Sequence, residues 1–333
     1  MTKLNIIVAN GLNNFLEWSE YLDDYDVKIH VVKNEMDIVN GIRDADIVWF
    51  EFANEAAIRG TRIIEDNTKA GVKKPDVYVR LHGYEAFHPN LLPNIKWNTV
   101  NRLIYVSPAN LIIMQDYHAE LLKSLEPQMV QISNGVNLDK HPFKERKHGM
   151  NIGLIGYLNN KKNSQEAIHI IKELCDGFWS DHHSNDIDKL ELQEHRDYKL
   201  HIAGTFQDRV LESYFKHAIK EYGLEKNVIM HGWLKGHEME ELWDSLNYVL
   251  CTSITESFGY NIAEGMARGI KPVIHNFIGA EKIWDSKYIY DNAAARIECN
   301  GDRYHSKEYR EYIEDNYDLK MQVDTIKGML NAT

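Results

Sequence analysis

Short runs dominated by apolar residues recur along this chain with longer amphipathic stretches between them, and the whole rhythm occurs twice. In the first round the runs are Leu4–Ala9, Val27–Val32, Ile47–Phe52, Val77–Leu81, Leu103–Val106 and Met129–Ile132. Several are apolar almost throughout, as in parallel strands covered on both faces. Helical spacing between them predicts helices that include Glu35–Arg43, Glu55–Glu65 and Ala109–Leu125. The pattern pauses over Leu138–Gly149 and restarts. Strands are expected at Asn151–Ile155, Lys199–Ala203, Val228–His231, Tyr248–Cys251 and Pro272–His275, with helices at Gln165–Phe178, Val210–Tyr222, Glu238–Leu246 and Ile262–Arg268. Alternation of this kind builds doubly wound parallel sheets. The expected class is therefore α/β, two Rossmann-like domains in tandem. The hydrophilic span Asp181–Asp197 reads as an inserted loop, and the region 306–331 as one or two helices.

A chain of 333 residues is long for a single core, which fits the two rounds. The first domain is expected over about 1–147 and the second over about 148–311. A net charge of −12 weighs against nucleic acid as a partner. No stretch approaches the roughly 18 consecutive apolar residues that cross a bilayer, although peripheral membrane contact stays open. The basic run KHPFKERKH at 140–148 reads as a solvated linker. MTKLNIIVANGLNN reads as a first strand rather than a secretion signal. Cys175, Cys251 and Cys299 are far apart and odd in number, so neither a disulfide framework nor a zinc ribbon fits, and a reducing cytoplasm is the expected home.

Two doubly wound domains present the carboxyl ends of their strands to a cleft, where ligands bind. The stretch Leu250 to Glu281, LCTSITESFGYNIAEGMARGIKPVIHNFIGAE, is the most informative in the chain. A strand is expected to end near Ser253 and a helix to begin near Asn261, with Glu256 in the loop, Glu264 in the first helical turn and Gly259 between them. Backbone N–H groups at a helix start suit the oxygens of a diphosphate. A carboxylate such as Glu264 can accept two hydrogen bonds from the vicinal diol of a ribose, and Glu256 can serve a sugar hydroxyl in the same way.

This segment resembles the E-x7-E signature of the retaining GT-B glycosyltransferases of family GT4, with Glu256, Phe258, Gly259, Glu264, Met266, Ala267, Gly269, Pro272, Val273 and Ile274 in step. Other landmarks follow in order. Ser133-Asn134-Gly135-Val136-Asn137 resembles the family's S-N-G-V-D, and Gly156 with Lys162-Asn163 resembles its donor loop. Ala203-Gly204, His231-Gly232-Trp233-Leu234 and Gly279-Ala280-Glu281 match later landmarks. The likeness is good over 133–282 and weak before it.

The resemblance implies a metal-independent hexosyltransferase of the EC 2.4 class, with no cofactor beyond a UDP- or GDP-linked sugar as co-substrate. The acceptor is a glycan, lipid-linked, protein or small molecule. The implied catalytic residues are His82, Glu256 and Lys162. Glu264 would hold the ribose, Glu256 the transferred sugar and Lys162 the diphosphate. The implied donor side also takes Tyr157, Lys161, Gly204, Trp233, Leu234, Ser257, Phe258, Gly259, Tyr260 and Asn261. The acceptor domain would be the first, carrying Gly11, Tyr84, Glu85 and His88, with the C-terminal helix, about 312–333, crossing back to it. His82, in Arg80-Leu81-His82-Gly83, is either a core histidine or the family's histidine that faces the donor sugar.

Tyr157 departs from the family, which has an arginine there. It offers one hydrogen bond and no charge. That keeps open a GT-B-like protein that binds a nucleotide sugar without transfer, and an epimerase of the same fold; a dehydrogenase is more distant. Two D-x-D triplets, Asp44-Ala-Asp46 and Asp186-Ile-Asp188, are set aside as chance. His237-Glu238 lacks the second histidine of a zinc motif, so zinc chemistry is not expected there; the resemblance implies no metal, with Lys162 and helix N–H groups in its place.

Overall fold

The computed structural model describes residues 1–9, 13–176, 197–298 and 304–332. These divide into two compact units, Met1–Gly135 with Tyr317–Thr333, and Val136–Asn316. The segment 136–147, expected in the first domain, is counted with the second. Arg146 shows why: its side chain donates to the backbone oxygens of Arg268, Asp244 and Leu246.

The first unit is built on β1 (Thr2–Ala9), β2 (Tyr25–Val32), β3 (Ile47–Phe50), β4 (Asp76–Leu81), β5 (Arg102–Tyr105) and β6 (Met129–Gln131), all parallel in the order β2-β1-β3-β4-β5-β6. Helices α1 (Glu35–Ile42), α2 (Glu55–Lys69) and α3 (Pro108–Leu125) make the long crossovers that parallel strands require. Side-chain alternation explains the apolar runs. Leu4, Ile6 and Val8 face one core and Ile7 the other; Trp49 and Tyr78 join the first, Val48, Phe50, Val77 and Val79 the second. The strand expected over Ile47–Phe52 stops at Phe50, so Glu51 falls at the sheet's carboxyl edge.

The second unit carries β7 (Asn151–Ile155), β8 (Lys199–Ala203), β9 (Val228–Gly232), β10 (Tyr248–Cys251), β11 (Lys271–His275) and β12 (Ile289–Tyr290), parallel in the order β12-β11-β10-β7-β8-β9. Its helices are α4 (Ser164–Asp176), α5 (Arg209–Glu221), α6 (His237–Ser245), α7 (Tyr260–Ala267), α8 (Ala293–Glu298) and α9 (Ser306–Tyr317). Strand order reverses between β10 and β7, and the crevice at such a reversal is where open α/β sheets bind ligands. In the first sheet the reversal lies between β1 and β3.

The 306–331 region forms two helices, α9 and then α10 (Leu319–Asn331). Leu319, Val323, Ile326 and Leu330 of α10 complete the core on one face of the first sheet. The Gln322 side chain accepts from the Gly135 N–H at 2.7 Å. Among the elements that escaped the sequence reading are the 3-10 segment Asn13–Tyr21, which supplies Leu16 and Trp18 to the core, the helix α8 and the two-residue β12. Gly11, Cys299, His182-His183 and Asp186-Ile-Asp188 lie outside the described residues, as does most of the Asp181–Asp197 span.

Candidate active site

In the second unit the chain leaves β7 at Gly156, runs past Tyr157, and closes a short 3-10 turn at Asn160–Lys162. Asn159 caps that turn by accepting from the Lys162 N–H at 2.9 Å. The loop after β10 is tied to it: the Ile254 N–H donates to the Lys161 carbonyl and the Thr252 hydroxyl to the Lys162 carbonyl. These bonds bring Lys162 and Glu256 together, and their side chains form an ion pair. The Ser253 hydroxyl donates to the same Glu256 oxygen at 2.8 Å.

Burial by itself pushes the Glu256 carboxyl up. The charges of Lys162 and Lys161, with hydrogen bonds from Lys162 and Ser253, outweigh it and hold the carboxyl below its ordinary range. Burial likewise favours loss of the Lys162 proton, and the Glu256 charge reverses that, leaving Lys162 above its ordinary value. A depressed carboxyl contributes stability that is present above the unfolded value and is lost as pH falls through the folded one. The pair is therefore charged at neutral pH. Beside it, burial first and the Glu256 charge second push the Cys251 thiol up to about 11, so it is not a thiolate nucleophile.

The other elements expected on the donor side gather at the same sheet edge. Helix α7 starts directly after Gly259, whose φ of +91° is a left-handed conformation that favours glycine. Because that residue turns the chain so sharply, the helix begins at Tyr260, one position earlier than expected. Glu264 is then its fifth residue, in the second turn and not the first, and is half-buried. Asn261 does not point outward alone, since its amide donates to the Ile155 carbonyl at 3.1 Å. Phe258 is buried against Trp284, and Ser257 and Tyr260 are half-buried. Lys161 is exposed.

Gly204, at the end of β8, packs directly on Gly156: a Cβ there would sit 1.8 Å from the Gly156 carbonyl oxygen. Around this bare backbone stand two exposed aromatic rings, Tyr157 and Trp233, stacked at 5.2 Å between centroids with planes 28° apart. Leu234 turns inward to the core around Trp243.

The first unit places its predicted residues in a different setting. His82 follows β4 and is buried; its Nε2 lies 2.9 Å from Glu51 Oε1. Arg80, wholly buried, donates to the same oxygen at 3.2 Å and to Asn134 Oδ1 at 2.7 Å. The Trp49 indole donates to Glu51 Oε2 at 2.8 Å. Tyr84 and His88 are exposed. Glu85 is not: its carboxylate is fully buried and accepts from the Gly83 N–H at 2.9 Å, which shapes the turn.

Burial raises the Glu85 carboxyl despite the opposing pull of His82 and the backbone N–H groups. An acid with a raised folded-state value gives its full contribution below the ordinary carboxylate range and loses it as pH rises through the folded value. Glu85→Gln is therefore expected to raise Tm at neutral pH and to flatten its pH dependence, measured between about pH 4 and 8. An equal drop in Tm at every pH would show that the charge matters less than the shape.

Sequence reasoning missed Ser253 and Glu51 as site residues, and named Asn134 only within the Ser133–Asn137 landmark. Glu51 had a visible signal, an acid at the end of the apolar run IVWF. Ser253 had none beyond its place before the loop. The set-aside signals stay apart from both sites: Asp46 accepts from the Lys3 N–H, and His237 pairs with Glu241 on the surface. Among the described residues no group of three or more His, Cys, Asp or Glu side chains is arranged to hold a metal ion. No described helix is long and apolar enough to cross a membrane.

Residues 139–297 match the family model described as Glycosyl transferases group 1. No curated protein matches the chain by sequence. Among solved structures it is similar to Anabaena HepE in complex with UDP, with a TM-score of 0.74, 13% identity and 100% of both chains covered. It is similar to the lipopolysaccharide outer core galactosyltransferase WaaB in its apo form, at TM-score 0.67, 13% identity and 100% of both chains. A third is S. aureus TarM (a point mutant in complex with Fondaparinux, alpha-GlcNAc-glycerol and UDP), at TM-score 0.60 and 18% identity. That match covers 87% of this chain and 56% of TarM. These likenesses show the fold, the two-unit GT-B architecture expected from the sequence.

Proposed function

We propose that this chain is a retaining, metal-independent glycosyltransferase that moves a hexose from a nucleotide-diphosphate sugar to an acceptor hydroxyl. One observation carries the reading: the Lys162–Glu256–Ser253 cluster, with Glu256 and Ser253 buried, stands at the β7/β10 reversal, inside the segment that matches group 1 glycosyl transferases. A lone ammonium beside a carboxylate at the start of a helix can bind a diphosphate and a sugar hydroxyl together.

In this reading the second unit holds the donor and the first the acceptor. Lys162 and the N–H groups at the start of α7 neutralise the leaving diphosphate, in place of a metal. Glu256 accepts from the sugar and Glu264 from the ribose. Trp233 and Tyr157 offer aromatic faces on the nucleoside side. Catalysis rests on positioning and on stabilising the leaving group. HepE and TarM were solved with UDP, which makes UDP the first nucleotide to try.

Calorimetry with UDP, GDP and ADP in metal-free buffer tests the reading. One nucleotide is expected to bind, and Glu264→Ala to weaken it about tenfold or more, the worth of a charge-assisted pair of hydrogen bonds. Unchanged affinity in the variant would remove Glu264 from the site. A second reading, binding without transfer, is favoured by Tyr157, which stacks on Trp233 and brings no cation to the donor loop. Release of free sugar from a bound donor would count against it.

A further inference from the structure

The Glu51 side chain is wholly buried and meets three donors. Trp49 Nε1 and the Arg80 guanidinium can only donate, so they mark both Glu51 oxygens as acceptors. His82 Nε2 reaches one of those oxygens at 2.9 Å and must supply the hydrogen in that bond. In the neutral ring this leaves Nδ1 bare, a lone pair without a proton. Among the described residues Nδ1 has no hydrogen-bond partner, although it is buried. The ring is held on two sides by Phe15 and Phe52, with centroids 4.8 and 4.7 Å away. Arg80 is itself anchored on Asn134, so the chain of contacts runs Asn134, Arg80, Glu51, His82. Leaving a buried acceptor unmatched is costly in a finished core. It is the expected state of an acceptor whose donor arrives with a ligand.

We infer that Glu51 is a positioning residue: it fixes His82 as the Nε2–H tautomer, so that Nδ1 is presented to accept a hydrogen bond from a substrate hydroxyl. The hydroxyl requirement rests on the glycosyltransferase reading above; the tautomer does not. Here one nitrogen is fastened to an anion that is itself fastened to a cation, and the other has no partner among the described residues.

The test is nitrogen NMR of the full chain labelled at histidine, with His82→Gln used to assign the ring. The wild type should show a protonated Nε2 and a bare Nδ1. Glu51→Gln can offer its amide N–H to the ring, so it should give the other tautomer or a mixture. Its kcat for UDP-glucose turnover should fall about tenfold or more, the worth of one such bond, while calorimetric affinity for UDP stays the same. Glu51→Asp should recover part of the loss. A wild-type ring protonated at Nδ1 overturns the proposal without reference to any variant or to activity. So does a Glu51→Gln variant whose tautomer changes while its kcat stays at the wild-type value. Failure to bind any nucleotide would instead sink the functional reading, and the tautomer would still be read directly.

Discussion

Lys162→Ala is expected to lower glycosyl transfer about 100- to 1000-fold and to destabilise the second unit in the same stroke. Two effects combine. In the proposed reading this cation meets the leaving diphosphate where charge develops, and removing one such group costs about that much in rate. The same ammonium is the partner of the buried Glu256 carboxylate. Taking away one member of a buried pair leaves the other charged and unmatched, which costs more than the pair itself is worth. Because Lys162 is 26% exposed, the expected loss is nearer about 2–4 kcal/mol than the larger figures for wholly buried pairs.

The double variant Lys162→Met, Glu256→Gln separates the two effects. It removes both charges, so folding should recover to within about 1 kcal/mol of the wild type while transfer stays lost. Chemical unfolding followed in parallel with a transfer assay gives both numbers. If Lys162→Ala retains transfer, or loses less than Tyr157→Ala, the diphosphate sits elsewhere and the donor loop has been misread. Acid should mimic the single variant. As pH falls through the depressed Glu256 value the carboxylate protonates and the pair's stabilisation disappears.

Gly204→Ala is expected to destabilise the second unit by about 3–5 kcal/mol, in the range of the most damaging single substitutions. The added Cβ would lie 1.8 Å from the Gly156 carbonyl oxygen and 2.8 Å from its carbon. Both obstacles are backbone, so no side-chain rotation relieves them. The strand ends must separate, and with them the Gly156–Ala203 and Gly204–Gly232 hydrogen bonds, now 2.9 and 2.7 Å long. Because Gly156 opens the loop that carries Lys162, any variant that still folds should also bind nucleotide more weakly. A urea midpoint and UDP affinity both equal to the wild type would show that the close approach is not maintained in solution.

Much of this site was legible in the chain because its signals are local. Apolar runs of strand length fix where the strands are. Gly259 between two acids marks a loop that turns into a helix, and Lys162 follows a strand by a short, countable distance. The likeness of residues 133–282 to a known family rests on such spacings. What the order of residues left open was every fact that depends on which strands lie side by side. Lys162 and Glu256 are 94 positions apart, and they pair because β7 and β10 are neighbours at the reversal of strand order. Glu51, Arg80, His82 and Asn134 converge for the same reason, from the ends of β3 and β4 and the segment after β6.

The sequence by itself determined the α/β class and the two rounds of strands and helices. Those follow from periodicity and local backbone preference, which act over a few residues. Only the tertiary structure decided which carboxylate meets which cation, that Glu85 turns inward while Tyr84 does not, and that one His82 nitrogen is bound to Glu51. Those depend on distances across a sheet. Hydrogen bonds and buried charges are settled by partners within about 3 Å, and a chain can bring almost any two of its residues that close.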